Sequence, residues 1–177
     1  MKIGLSVVFI VLVLAGCASV PAPTPEQNTL VTGKFLLNWN TTDKMSGGNG
    51  KYQVGLGVYF QNNQTGKVIS ASTQKDGWFV TRKLAGGDYT IQKLFIQQEL
   101  GNAIYQMTLN GPFPVIIENG IVNNIGAIQI DIGNERYSLR VVDYDTVKYD
   151  FQSEFPDSEW NSYEWKNTNI FASGNTD

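Results

Sequence analysis

From residue 30 to residue 142, apolar side chains recur at every second position in short runs, and glycine or asparagine turns separate the runs. Side chains two apart share one face of a strand, so this rhythm commits the region to sheet. Phe35, Leu37 and Trp39 alternate in the first run, and Tyr105, Met107 and Leu109 in a later one. Val54, Leu56, Val58 and Phe60 fall on one face of another run, with Gly55, Gly57 and Tyr59 opposite. Those two glycines suit a bulge or an edge twist, or the close approach of a backbone or ligand. Strands recurring every eight to twelve residues or so are the mark of a sandwich or barrel. The spacing predicts about eight to ten strands and no long helix, hence a mainly β, antiparallel β-sandwich over residues 30–142.

The densest turn chemistry lies in residues 75–96, KDGWFVTRKLAGGDYTIQKLFI. Asp76-Gly77 signals a turn, 78–84 a strand, Gly86-Gly87 a second bend and 89–96 the next strand, so a β-hairpin is expected here. Further along, Gly111-Pro112 is expected to break a strand, and Glu118-Asn119-Gly120 to form a turn.

Asp76, Gly77, Phe79, Leu84, Gly87, Tyr89 and Ile91 follow a pattern that resembles transthyretin-like and carboxypeptidase-regulatory-like domains. Thr81 and Gly86 depart from it, standing where an apolar residue and a proline are usual. The resemblance implies a small transthyretin-like or immunoglobulin-like sandwich. The run FPVIIENGIVNNIGAIQIDI, with its Ile125-Gly126 pair, also resembles the late strands of sandwich-type bacterial lipoproteins.

The N-terminus has a different character. Lys2 precedes an apolar run over residues 3–14, interrupted only by Gly4 and Ser6, and Leu14-Ala15-Gly16-Cys17 closes it. Such a run is shorter than the roughly 20 residues a membrane-spanning helix needs, and it has the form of a secretory signal. The four residues LAGC resemble a bacterial lipobox. That resemblance implies a signal peptide over 1–16 and cleavage before Cys17, which then carries a diacylglycerol thioether and an amide-linked acyl chain such as palmitate. Several acyl chains on one residue anchor far more firmly than a single myristoyl group. Ala18, rather than Asp, after the cysteine implies export to the outer membrane, facing the periplasm or the cell surface. Residues 17–29 hold three prolines and no apolar periodicity, and are expected to form a flexible tether behind the lipidated cysteine.

Beyond Val142 the pattern changes. Val147, Phe151 and Phe155 recur at four-residue steps and Pro156 ends them, which predicts one short helix starting near Asp143 or Asp145. Residues 143–177 as a whole are expected to be this helix and an acidic, aromatic tail packed on the sandwich. Trp160, Tyr163 and Trp165 in that tail could stack on sugar rings or meet a partner protein, or else cover a sheet face.

Composition narrows the chemistry. There is no histidine, which removes the usual general base and the usual zinc ligand, and the one cysteine is assigned to the anchor. Catalysis would have to use carboxylates, with Asp143, Asp145, Asp150, Glu154, Asp157, Glu159 and Glu164 as the supply. Asp143 and Asp145 lack the rest of a calcium loop, and helix charges account for such acids without a site. Ser72-Thr73-Gln74-Lys75 fits the S-x-x-K pattern, but its residues end a strand, where that chemistry needs a helix start. Without residues 1–16 and their one lysine, the 13 basic side chains fall to 12 against 16 acidic ones, so no basic stripe invites nucleic acid.

The expected function is therefore a non-catalytic binding or scaffolding module of the bacterial envelope, with no cofactor and no metal. It would be held to a membrane through Cys17 and engage an envelope protein or glycan. Two alternatives are a carbohydrate-binding module using the tail aromatics and, further off, a glycan hydrolase using Glu159 and Glu164.

Overall fold

The computed structural model describes residues 20–39, 55–73, 77–100, 103–132 and 137–170. Nine strands lie in these residues: β1 (Leu30–Trp39), β2 (Gly55–Asn62), β3 (Val68–Ser72), β4 (Trp78–Thr81), β5 (Gly87–Leu100), β6 (Ala103–Ile117), β7 (Val122–Ile132), β8 (Tyr137–Asp143) and β9 (Trp165–Asn167). One helix, α1 (Asp145–Glu154), and a single 3-10 turn, Glu159–Ser162, lie between β8 and β9.

The strands form two sheets. One has the order β3-β2-β5-β6; the other has the order β4-β1-β7-β8, with β9 also against β7. All pairings in the first sheet are antiparallel, whereas in the second β7 runs parallel to both β1 and β9. The protein is thus a mainly β sandwich, with one helix among the described residues. Val31, Phe35, Phe79, Ile128 and Ile130 from one sheet meet Val58, Phe60, Ile91, Leu94 and Val115 from the other in the inter-sheet core. Val58 and Phe60, two apart on β2, are both fully buried there, as their alternation predicts. The side chains of Leu37, Trp39, Leu56, Tyr105, Met107 and Leu109, and all of Val54, lie outside the described residues.

A second core covers the outer face of the five-stranded sheet. Leu30, Trp78, Val122 and Ala127 project outward and pack with Val147, Phe151 and Trp160. This makes the molecule three layers deep: sheet, sheet, then helix and tail. It also explains why Leu30, Val31 and Thr32 are all fully buried although they are consecutive. A strand covered on both faces has no solvent side, so its alternation disappears.

Two expectations about turns are corrected by the sheet order. Residues 78–96 do not form a hairpin: β4 pairs with β1, and β5 pairs with β2 and β6 in the opposite sheet. The Gly86-Gly87 bend carries the chain across the sandwich. Asp76, the other half of the turn expected before β4, lies outside the described residues; Gly77 has φ +83°, and a Cβ there would lie 2.1 Å from the Phe35 carbonyl oxygen. Nor does Gly111-Pro112 end a strand. β6 runs through it as a bulge, where residues 111 and 112 of β6 face Gln92 of β5. A Cβ on Gly111 would lie 2.2 Å from the Ile91 carbonyl oxygen, so only glycine allows that approach.

The helix falls where the four-residue spacing put it. Asp143 Oδ1 accepts from the Asp145 amide at 2.9 Å and Oδ2 from the Thr146 amide at 3.3 Å, capping the first turn. Val147 and Phe151 are its buried residues, and Phe155 N–H closes on the Phe151 carbonyl at 2.9 Å just before Pro156.

Candidate functional site

The three aromatic residues of the tail sit against the outer face of the sheet. Trp160 has no exposure at all, which leaves no ring face for a sugar. Its indole N–H donates to the Pro21 carbonyl at 2.8 Å, and its ring lies 4.9 Å from that of Tyr163. Tyr163 and Trp165 are half-buried. The Trp165 ring stands edge-on to Phe151 at 5.2 Å, and its N–H donates to the Trp160 carbonyl at 3.3 Å. Trp78 joins the cluster from β4, 5.9 Å from Phe151 and 5.4 Å from Phe155. A sheet face bearing Leu30, Trp78 and Val122 needs such a cover, and each large ring buried there contributes about 1.5–3 kcal/mol.

The carboxylates are dispersed among separate tasks. Asp150 pairs with Lys34 at 2.7 Å and ties α1 to β1. Glu118 pairs with Lys166, and Asp131 lies 3.7 Å from Arg140. Hydrogen bonds from the Thr146 hydroxyl and the Asp145 amide hold the Asp143 carboxyl below its ordinary pKa. Asp145, Glu154, Asp157, Glu159 and Glu164 are exposed. Among the described residues, no group of three or more His, Cys, Asp or Glu could hold a metal ion.

Other sequence candidates find local roles. Ser72 is the last residue of β3, and Gln74 and Lys75 lie outside the described residues. The Tyr59 ring folds over Gly57, coming within 3.3 Å of a Cβ built there, and Lys93 Nζ sits 4.4 Å above that ring. Cys17 also lies outside the described residues.

Residues 20–29, the described part of the expected tether, are held against the domain at Val20, Pro21, Ala22, Gln27 and Thr29. Arg82, just after β4, donates to the Pro21 carbonyl at 2.9 Å, to the Ala22 carbonyl, and to Gln27 Oε1 at 2.6 Å. Val20 packs on the outer core. Thr24 and Gln27 close a reverse turn with reciprocal backbone bonds of 3.2 and 3.0 Å, with Pro25 at its corner. Thr29 Oγ1 donates to Asn119 Oδ1 at 3.2 Å, and the same Asn119 oxygen accepts from Gly86 N–H at 2.6 Å. Over residues 20–29 the segment lies on the domain as a strap. Its composition promised a solvated chain, but a guanidinium and an indole N–H supply partners for carbonyls that proline-rich backbone leaves open.

Two buried asparagines complete the same end of the molecule and were not singled out by sequence reasoning. Asn123 Oδ1 accepts from the Glu118 amide at 2.9 Å while its Nδ2 donates to the Glu118 carbonyl at 2.9 Å and the Leu30 carbonyl at 3.4 Å. Asn124 Oδ1 accepts from Gly126 N–H at 2.9 Å, and its Nδ2 donates to the Tyr144 carbonyl at 2.9 Å. The one available signal was their place inside an apolar run, where an amide needs a full set of partners.

No protein-family model and no curated protein matches the chain. Among solved structures it is similar to a leucine-rich repeat protein from Bacteroides thetaiotaomicron VPI-5482, with 12% sequence identity and a TM-score of 0.33. That similarity covers 59% of this chain and 14% of the other.

Proposed function

We propose that the protein is a bacterial envelope lipoprotein, anchored through acylated Cys17, whose sandwich serves as a non-catalytic binding or scaffolding module. The sandwich is read as transthyretin-like or carboxypeptidase-regulatory-like on the residues from Asp76 to Ile91 that carry the resemblance. The observation that carries the anchor is Leu14-Ala15-Gly16-Cys17 at the end of a short apolar run behind Lys2. Ala18 favours the outer membrane. The geometry lends support to a non-catalytic role through its acids. Asp143 caps a helix and Asp150 neutralises Lys34, so two of the carboxylates available for catalysis have structural work.

Mass analysis of the native protein tests the anchor: the mature chain should begin at Cys17 and carry diacylglycerol and an acyl chain. Photo-crosslinking in the intact envelope tests the module and should capture one recurring protein or glycan. Release of soluble glycan that disappears in Glu159→Gln or Glu164→Gln, with the fold intact, would replace this reading by the hydrolase.

A further inference from the structure

We infer that the strap fixes the orientation of the sandwich on the bilayer, with the strap end facing the lipid. The inference rests on the acylated anchor proposed above. Cys17 and Val20 are three residues apart in sequence, and three Cα steps span at most about 11 Å. The polar zone on each side of a bilayer is itself about 5–8 Å deep. A cysteine whose acyl chains enter the hydrocarbon therefore brings Val20 close to the headgroups. From Val20 onward the chain has no slack, because Arg82 and Trp160 grip Pro21 and Ala22.

What the strap holds down is a definite end of the sandwich. Leu30 of β1 pairs with Val122 of β7, and Val31 with Thr81 of β4, so all three strands begin or finish beside the strap. In the other sheet, Asn62 of β2 pairs with Tyr89 of β5, and Gly87 of β5 with Ile117 of β6, while Asn119 links the Gly86 bend to Thr29. The turns at 63–67, 82–86 and 118–121 therefore share this end. Asn38, eight residues beyond Leu30, pairs with Asp131, which pairs with Ser138. At a rise of about 3.3 Å per residue, Ser138 stands about 26 Å further along the strands than Leu30.

The test uses the full, natively acylated protein in vesicles of phosphatidylethanolamine and phosphatidylglycerol, with a small fraction of lipid carrying a gadolinium chelate on its headgroup. Acylation occupies the thiol of Cys17, the one cysteine of the chain, so Lys83→Cys and Ser138→Cys each create a unique site for a nitroxide label. Both positions are exposed. The lipid-borne gadolinium should relax the label at 83 at least several-fold more than the label at 138. Arg82→Gln should shrink that contrast with the circular dichroism spectrum unchanged, since it removes the guanidinium's bonds to Pro21, Ala22 and Gln27 and leaves the core in place. Equal relaxation at both sites of an acylated protein overturns the orientation and leaves the anchor standing. A contrast that survives Arg82→Gln overturns the part assigned to Arg82 in holding the strap. An N-terminal peptide without acyl groups overturns the anchor and the orientation together.

Discussion

Asp143 holds the start of α1 with one carboxylate, taking the Asp145 and Thr146 amides and the Thr146 hydroxyl. Those bonds favour the charged form and set the carboxyl below 3.8, its ordinary value. A group with a depressed folded pKa adds stability that is fully present above the unfolded value and fades as pH falls through the folded one. Asp143→Ala should therefore lower the melting temperature at pH 7, and the gap from the native protein should close as pH drops below about 4. Asp143→Asn, still a good cap, should keep most of the stability and lose that pH dependence. Melting curves between pH 7 and pH 2.5 decide it; a gap constant across the range would assign the effect elsewhere. Asn123 acts at the same scale with no charge. Asn123→Leu takes away the partner of the buried Leu30 carbonyl and of the part-buried Glu118 amide and carbonyl, and should cost about 1–3 kcal/mol in urea unfolding. A loss under about 0.5 kcal/mol would mean that water replaces the amide.

At the scale of elements, α1 is a lid on the sheet through two side chains, Val147 and Phe151. Phe151 is fully buried and touches rings from β4, β9 and the helix end. Phe151→Ala should cost about 3–5 kcal/mol, at the upper end if Trp78 and Trp165 cannot close the cavity. Equilibrium denaturation measures it, and a cost below about 1 kcal/mol would show that the helix is dispensable to the outer core. This helix was legible in the sequence because the four-residue spacing and Pro156 are local signals. The strand alternation was legible for the same reason wherever one face is solvated, as at Val58 and Phe60. The route from β4 to β5 was not. A glycine bend between two strands reads alike whether the second strand pairs with the first or crosses to the other sheet, and the choice lies with β1 and β2, more than twenty residues upstream in each case. The strap was illegible because its partners, Arg82 and Trp160, lie 61 and 139 residues from Pro21.

Across the whole molecule, the five-stranded sheet is the middle of three layers and belongs to two cores. Its inner face meets the other sheet through Phe35, Phe79 and Ile128, and its outer face meets α1, the 3-10 turn and Val20. The chain therefore closes its second core with its two ends: the strap from the N-terminal side and residues 147–165 from the C-terminal side. A chain ending at Asp143 would retain every strand of the inter-sheet core yet expose Leu30, Trp78, Val122 and Ala127, each at most 3% accessible in the full chain. It would also free the Pro21 carbonyl from Trp160. An apolar face of that size on an otherwise folded sandwich invites self-association. The truncated chain should keep a β-type circular dichroism spectrum, bind an apolar-surface dye and sediment as oligomers. If it stays monomeric and dye-free with an unchanged melting temperature, the outer layer is an ornament on a self-sufficient two-sheet domain. If it loses its β spectrum altogether, the two cores fold as one unit. Aggregation with the spectrum kept is the result the geometry requires, because the inter-sheet core shares no buried side chain with the layer removed except Ile170.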